Sequence, residues 1–269
     1  SEDLVRHMVL NSLRGHNKKF RDKYGEMVIA SDSGNVWRKQ VFPNYKANRK
    51  ESREKSDHDW PKIFEILSNI RQELKEHMPY RHLHIDTAEA DDIIAVLCKQ
   101  YHDQKILILS GDKDFIQLHR NQLTPNNNHV KQYNPVLNKF VGKDENPSIY
   151  IKEHILKGDR SDGIPNILSD DNVFVEGFRQ TPVTQKKIDN IIEDLEEGEL
   201  LYAASWYRNY CRNKKLIDLT ETPEELRKQI INSFMDQDAA SMWSKRGKVF
   251  PYLVAKRCNN LIDSVQEFI

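Results

Sequence analysis

Apolar residues along this chain recur at helical spacing in some stretches and form short continuous runs in others. The stretches Leu4–Phe20 and Ile63–Leu74 carry apolar side chains three or four residues apart, which is typical of helices with one buried face. Apolar runs at Glu26–Ala30 and Lys105–Leu109 predict buried strands, and Arg81–Ile85 is predicted as a third strand. Strands separated by helices predict an α/β fold with a mostly parallel, twisted sheet flanked by helices.

The pattern changes near residue 146, after a segment at 123–141 that is typical of a loop and a hairpin. From there onward we find helical patterns punctuated by Pro and Gly residues. We therefore predict an α/β domain over residues 1–145 and a helical domain over residues 146–269.

Composition excludes several classes of protein. The chain has 269 residues, and 41 Lys and Arg residues balance 41 Asp and Glu residues. Its longest apolar run, Ile93–Cys98, is far shorter than the ~18 residues that cross a bilayer. Three widely separated cysteines favour reduced thiols, and no apolar leader is visible. We expect a cytoplasmic protein without a membrane partner.

The balanced charge is unevenly distributed. The segment Trp37–Lys55 contains seven basic residues against two acids, whereas Asp86–Asp114 is rich in acids. A basic segment beside an acidic cluster suits a metal-dependent enzyme that acts on a polyanion. The alternative interpretation is that both charge runs are solvated surface. Because residues 33–59 contain few aliphatic side chains, we expect a mobile, partly helical surface segment there.

Acidic residues gather where predicted strands end and where one helix begins. Sites in open α/β sheets form beyond the carboxyl ends of parallel strands, and crowded carboxylates are stable when they share cations such as Mg²⁺. Taken singly, such acids are ordinary helix caps and turn residues, but their coincidence favours a metal site. The candidate ligands are Asp32 after the first strand, Glu89, Asp91 and Asp92 at the start of the helix Ala88–Tyr101, and Asp112 and Asp114 after Lys105–Leu109.

The helical half contains one further informative string, Ile155–Ile167. It predicts a helix that ends at Gly158, a polar loop, and an Ile-Pro-x-Ile unit that leads into the next helix. Backbone N–H groups that point out of such a hairpin suit a phosphate backbone, and Asp159 and Asp162 are placed to turn towards the acidic cluster. The pattern alone is equally that of an ordinary helix–loop–helix packing unit.

Several strings occur together in one order along nearly the whole chain. They are the strand ending at Asp32, Trp37-Arg38 with Tyr45-Lys46-Ala-Asn-Arg49, Glu89-Ala-Asp91-Asp92, Ser110-Gly-Asp112-Lys-Asp114-Phe and Leu156-Lys-Gly-Asp159-Arg-Ser-Asp162-Gly-Ile. In this order they resemble the 5′-nuclease family of flap endonucleases, and within it the ribonuclease H branch of T-even bacteriophages.

The resemblance implies a PIN-like core with a helical C-terminal domain. It also implies a 5′-to-3′ nuclease that removes RNA primers and 5′ flaps during lagging-strand replication, with two Mg²⁺ ions that Mn²⁺ can replace and a K⁺ ion at the hairpin. The implied ligands of the first Mg²⁺ are Asp32, Glu89 and Asp91, and those around the second are Asp92, Asp112, Asp114, Asp159 and Asp162.

The resemblance further assigns the basic segment to an arch over residues 33–59. Lys46 and Arg49 would reach the scissile phosphate from the arch, with Arg38 nearby. For the arch aromatics Trp37, Phe42 and Tyr45, stacking on unpaired bases and anchoring of the arch are equal alternatives. The implied nucleic-acid contacts are Trp37, Tyr45, Lys50, Gly158, Ser161, Gly163 and Ile164.

The implied partners are branched or nicked duplex DNA, RNA–DNA hybrids, and the single-stranded-DNA-binding protein and sliding clamp of a replisome. A monomer is expected, acting in the infected bacterial cell if a phage encodes it. The family begins with an Asp-bearing strand, whereas this chain starts at Ser1-Glu-Asp-Leu, so we expect a first metal site one ligand short. The alternatives are therefore a branched-DNA-binding protein with an inactive metal site and a metal-dependent phosphatase of small substrates.

Overall fold

The computed structural model of the chain describes residues 1–120, 129–142, 145–197 and 201–269. The loop expected from residue 123 lies outside them up to residue 128. The helices and strands are α1 (Glu2–Tyr24), β1 (Val28–Ser31), α2 (Arg38–Val41), α3 (Ala47–Glu54), α4 (Trp60–His77), β2 (Arg81–His84), α5 (Ala90–Gln100), β3 (Ile106–Leu109), β4 (Val130–Asn134), β5 (Lys139–Val141), α6 (Pro147–Lys157), α7 (Gln185–Glu197), α8 (Tyr207–Ile217), α9 (Glu224–Met235), α10 (Ala239–Ala255) and α11 (Asn259–Ile262).

The predicted fold class is confirmed. Strands β1 and β2 pair in parallel, with Val28 opposite Arg81. Strands β3 and β4 also pair in parallel, and β5 returns antiparallel to β4 as the expected hairpin. After residue 145, the regular elements of the described residues are helices. No helix among those residues has both the length and the apolar composition needed to span a bilayer.

The chain forms two compact units that interleave along the sequence. The first comprises Ser1–Asp32, Asp57–Ile85 and Arg227–Ile269, and the second comprises Ser33–Ser56 and Asp86–Leu226. These units are a different division from the segments 1–145 and 146–269 expected above, which stay a prediction.

The first unit is organised around the inner faces of α1, α4 and α10. Apolar side chains spaced three or four residues apart place Ile66, Ile70 and Leu74 of α4 in one core cluster with Leu10 and Leu253. Helix α4 begins as its sequence predicts, because the side chain of its N-cap Asp59 accepts the backbone N–H of Lys62 at 3.0 Å.

A buried ion pair crosses this core. The Arg6 side chain is almost fully buried, and its Nε donates to Glu73 Oε2 at 2.7 Å. Tyr252 Oη also donates to Glu73 at 2.8 Å, and Lys256 pairs with the same carboxylate. Burial alone would raise the pKa of Glu73, but these hydrogen bonds outweigh it and lower the pKa to about 2.

In the second unit, α5 packs on β3 and β4. Buried apolar residues of all three elements form one cluster, which includes Ala95, Ile108 and Val130. The amino end of α5 and the loop that follows β3 are therefore held on a rigid support. These are the two positions that carry most of the candidate acids.

The segment 33–59 is partly helical, as its sequence predicts, but four of its side chains are buried rather than exposed at the surface. It contains the short helices α2 and α3, and the side chains of Val36, Trp37, Phe42 and Tyr45 lie in the core of the second unit. Charge along the segment hid these anchors, because four core residues among many basic ones leave little periodicity.

The stretch after the hairpin string also differs from expectation. Helix α6 ends where predicted, with Gly158 at φ 68°. The next helix, α7, begins only at Gln185, and residues 165–184 form turns and extended backbone. The helix–loop–helix prediction is therefore wrong for the second helix.

The Glu73 cluster predicts acid-sensitive stability. We expect Glu73→Gln to lower the free energy of unfolding at neutral pH by about 1.5–3 kcal/mol, the range for hydrogen bonds to a charged group. The folded-state pKa is depressed, so this stabilisation is present above about 4.5 and is lost as the pH falls towards about 2.

Urea denaturation of wild type and variant, at neutral pH and at about pH 3, measures both effects. The matched control is Glu65→Gln, which removes an exposed pair with Lys62 and should change stability by less than about 0.5 kcal/mol. A loss of stability that is equal at both pH values would contradict the assignment.

Candidate active site

Three acids stand at the amino end of α5. Glu89 caps the helix, and Asp92 accepts the backbone N–H of Glu89 at 2.9 Å. Negative charge is favourable at this end of a helix, because the first N–H groups point outward. The local sequence therefore explains why the three acids lie at the start of the helix, but it does not show which of them has a structural role and which is open to a ligand.

Asp92 is fully enclosed and has its oxygens occupied. Its Oδ1 accepts from Arg38 Nη2 at 2.9 Å and from Thr222 Oγ1 at 2.8 Å. Its Oδ2 accepts from Trp37 Nε1 at 3.1 Å and from Arg38 Nη1 at 2.9 Å. A carboxylate with this set of donors is held in place by the surrounding structure, and the role of Asp92 as a metal ligand stays a prediction.

Arg38 is likewise a structural residue in this arrangement. Its side chain is 1% exposed, and the guanidinium pairs with Glu89 as well as Asp92 and donates from Nε to the Leu216 carbonyl. Burial disfavours the charged form, yet the two carboxylates outweigh burial and raise the pKa of Arg38. Arg38 also lines the small cavity that the acids face, and its place near a scissile phosphate stays a prediction.

The aromatic residues of the arch are buried, as expected if they anchor the arch to the core. Trp37 and Tyr45 are 5% and 3% exposed. Tyr45 Oη donates to Glu89 at 3.0 Å and to Asp162 at 3.1 Å. These contacts hold the basic segment on the acids, and the expected contact of the two residues with nucleic acid stays a prediction.

Lys46 and Arg49 reach the same acids from the partly exposed side. Lys46 Nζ contacts Glu89 and lies 3.5 Å from Asp162, and Arg49 pairs with Asp162. Burial lowers the pKa of Lys46, but Asp162 and Glu89 outweigh it and raise the pKa. The Lys46 side chain is 18% exposed, so it is more buried than its polar sequence suggests.

Other acids face a small cavity of about 10 Å³, close to the ~10–15 Å³ that one water needs. The Asp91 side chain makes no hydrogen bond or ion pair with any residue that the structure describes. Burial, together with the charges of Glu89 and Asp112, raises the pKa of Asp91 to about 7. The carboxylates that line this cavity are Asp91, Asp114, Asp159 and Asp162.

The loop after β3 positions Asp112 and Asp114. Asp112 Oδ1 accepts the Asp114 N–H at 3.0 Å, which caps a 3-10 helix over Lys113–Leu118. The buried Gln132 of β4 fastens the loop, because its Nε2 donates to the carbonyls of Ser110 and Asp112. Asp114 lies partly buried beside the cavity, and burial raises its pKa to about 6.

His154 is a functional candidate that the sequence did not reveal. It lies near the end of α6, with Nδ1 3.6 Å from Asp114 and Nε2 3.7 Å from Asp159. Ligand atoms of these three residues lie within 4.8 Å of one another. Burial lowers the pKa of His154, but the facing carboxylates outweigh it and raise the pKa. In the sequence, only its position one helical turn before Gly158 could have indicated that His154 faces the hairpin.

The hairpin after α6 is closed on itself. Asp159 and Ile164 exchange two backbone hydrogen bonds, and Asp159 Oδ1 accepts from the N–H of Ser161 and of Asp162. The Gly163 N–H donates to the Arg160 carbonyl. These N–H groups are therefore used within the hairpin, and phosphate binding by the hairpin stays a prediction.

The glycines of the hairpin serve close packing. A Cβ on Gly158 would meet the Ile164 carbonyl at 2.5 Å, and Gly163 approaches the Asn44 carbonyl. The Ser161 hydroxyl donates to Asp159, and Ile164 is 2% exposed. The nucleic-acid contacts expected of these four residues stay a prediction.

Two further candidates, Asp32 and Lys50, remain. Asp32 directly follows β1 in the first unit, so its place as a metal ligand stays a prediction. Lys50 lies on α3 with its side chain 82% exposed, and its contact with nucleic acid also stays a prediction.

Two family models match successive parts of this chain. Residues 5–144 match the N-terminal, resolvase-like domain of 5′-3′ exonucleases. Residues 145–268 match the C-terminal region of T4 RNase H.

Curated relatives agree with these matches. Ribonuclease H of Enterobacteria phage T4 is 35% identical over 98% of this chain and 87% of the relative. A flap endonuclease Xni of Shewanella baltica is 29% identical over 63% of this chain and 65% of the relative.

A solved structure shares the fold. T5 5′-exonuclease with bound zinc ions superposes with a TM-score of 0.57, over 84% of this chain and 90% of that chain, at 18% identity.

The enclosed Arg38 predicts a stability phenotype. We expect Arg38→Ala to lower the free energy of unfolding by about 3–5 kcal/mol, because it leaves Asp92 buried without its cation. Urea denaturation measures the loss, with Lys39→Ala as the control, since Lys39 is the exposed neighbour on α2. Equal stability of the two variants would show that Arg38 is not a structural residue.

Proposed function

The chain belongs to the 5′-3′ exonuclease family, in its T4 ribonuclease H branch, and on that premise we propose that Asp91, Asp112, Asp114 and Asp159 hold the divalent cations of a 5′ nuclease. The observation that carries the proposal is the acidic cavity, in which the Asp91 side chain has no hydrogen-bond or ion-pair partner among the described residues. Uncompensated carboxylates at one place are costly unless a cation neutralises them.

The donor set fits a hard divalent cation. Carboxylate oxygens are the ligands that Mg²⁺ and Mn²⁺ prefer, and Mg²⁺ keeps several waters, so a few aspartates suffice. His154 bridges Asp114 and Asp159, and we assign it to orienting these two carboxylates. Glu89 is already paired with Lys46, and Asp162 with Arg49, at the edge of the cluster. We therefore propose the four aspartates, rather than these two residues, as the main metal ligands.

The residues divide into an acidic part and a basic part with separate tasks. A bound pair of cations supplies an activated water and stabilises the leaving oxygen of a phosphodiester. Lys46 and Arg49 stand beside these acids with exposed edges, so they are placed to hold the phosphate and to offset its charge in the transition state. Tyr45 fixes their approach, because its hydroxyl ties the basic segment to Glu89 and Asp162.

We extend the proposal to the substrate. The relatives are named ribonuclease H and flap endonuclease, which supports hydrolysis at 5′ ends of RNA primers and of flaps. The basic segment supports binding of a polyanion rather than of a small phosphate ester. A role with Mg²⁺ in lagging-strand replication, beside a single-stranded-DNA-binding protein and a sliding clamp, and a K⁺ ion at the hairpin, belong to this proposal.

Asp91→Asn tests the acidic part. Neutralising Asp91 relieves repulsion, so in EDTA we expect a melting temperature at least about 2 °C above wild type, the shift that about 1 kcal/mol gives in a chain of this size. Cleavage of a 5′-labelled flap in Mg²⁺ should be abolished while binding of the flap is retained.

Asp103→Asn is the matched control, because Asp103 is an exposed acid beyond the other end of α5. It should cleave like wild type and should leave the melting temperature unchanged. Full activity of Asp91→Asn would remove Asp91 from the metal site.

Lys46→Met tests the basic part. We expect kcat for flap cleavage to fall by about 100-fold, the loss typical of removing one group that stabilises transition-state charge. KM should change little, because other basic residues of the segment remain. The control is Lys99→Met, an exposed lysine in the last turn of α5. A rise in KM with unchanged kcat would assign Lys46 to substrate binding alone.

A further inference from the structure

A second cavity, of about 590 Å³, lies beside the hairpin that follows α6. It is lined by residues of the hairpin and of the turns after it, including Arg160, Asn166, Phe174, Phe178, Arg179 and Thr181. Its volume falls within the ~300–1,000 Å³ of ordinary small-molecule sites. The acidic cavity and the proposed cleavage chemistry make no use of this space.

The cavity carries uncompensated positive charge. Arg160 and Arg179 are both exposed, and neither guanidinium makes a hydrogen bond or an ion pair within the part of the chain that the structure describes. In contrast, the neighbouring Arg208 and Arg212 are both paired with Asp171. Two guanidinium groups without an acidic partner at one cavity favour an anion, and a guanidinium fork suits a phosphate.

The cavity also presents aromatic surface to solvent. Phe178 is 64% exposed, and Phe174 is half-buried below the guanidinium of Arg160. The exposure of Phe178 is enforced by the backbone, since Gly177 has φ 71° and the Phe178 N–H donates to the Val173 carbonyl at 2.9 Å. An exposed phenylalanine ring is a platform on which a base can stack.

The floor of the cavity is held by hydrogen bonds. Asn166 is used within the fold: its backbone N–H donates to Gln180 Oε1 at 2.8 Å, and its Nδ2 donates to the Thr181 carbonyl at 2.9 Å. The Thr181 N–H donates in turn to Ser169 Oγ at 3.0 Å. A fixed floor lowers the entropy that binding would otherwise cost.

Phosphate-binding and base-stacking groups together match a nucleotide. We propose that this cavity binds one unpaired nucleotide of the nucleic-acid substrate, with its base on Phe178 and its phosphate on Arg160 and Arg179. The base is unpaired because a base inside a duplex has no free face. The proposal rests on the proposed nuclease function, and Arg160 stands between Asp159 and Asp162, which line the acidic cavity. A strand held at the acids therefore passes close to this site.

The test compares two branched DNA substrates in EDTA, identical except that one carries a single unpaired 5-iodouracil nucleotide at the branch. Fluorescence anisotropy of each labelled DNA with the full chain gives the two Kd values, and the ratio used below is the Kd without the unpaired nucleotide divided by the Kd with it. We expect the unpaired nucleotide to tighten binding at least about fivefold, the low end for stacking of one base. Irradiation should crosslink the iodouracil to the peptide that contains Phe174 and Phe178.

Phe178→Ala and Arg179→Ala should each bring the ratio close to one. Both side chains are exposed, so both variants should fold. Phe250→Ala and Lys187→Ala remove an exposed ring and an exposed cation elsewhere, and they should keep the wild-type ratio. A wild-type ratio near one, or a crosslink that maps outside residues 160–182, would overturn the proposal.

Two further arms separate the alternatives. Excess thymidine monophosphate that abolishes the ratio at concentrations near the Kd of the DNA would show a site for free mononucleotides, which overturns the strand-bound form. Cleavage of the same substrates in Mg²⁺ tests the nuclease function independently. If the protein does not cleave but the ratio of Kd values is as expected, the proposed nuclease function is contradicted. If it cleaves but the ratio of Kd values is one, only the proposal that the cavity binds a nucleotide is contradicted.

Discussion

The buried pair of Arg38 and Asp92 is the interaction on which the site depends. Two charges removed from water are tolerable only with close geometry and further hydrogen bonds, which Trp37, Thr222 and the Leu216 carbonyl supply. The pair fastens α2 to the amino end of α5. It thereby sets where the basic segment starts and where the acids of α5 point.

The carboxylates around this pair fall into two groups, those that have a basic partner and those that have none. Asp92 and Glu89 are matched by Arg38 and Lys46, whereas Asp91 has no such match among the described residues. Glu89 and Asp91 are two positions apart, so they leave the helix in different directions. One faces the basic segment and the other faces the acidic cavity, and this difference divides structural charge from charge available to a cation.

The basic segment shows how a polar sequence can still be anchored. Trp37 and Tyr45 place their rings in the core and their polar atoms on Asp92 and Glu89. Aromatic residues with a polar tip are suited to this, because they bury apolar area and satisfy a carboxylate at once. Lys46 and Arg49 then reach the acids with edges still open to solvent.

The sequence by itself determined the alternation of strands and helices and the acidic strings that follow them, because apolar spacing and cap residues are local signals. Tertiary structure alone decided which acid is used for what. Asp91 and Asp92 are neighbours of the same type, yet one faces a cavity and the other is enclosed by Arg38. His154 and the turns after the hairpin also depended on packing, since their partners are distant in sequence or have no periodic pattern.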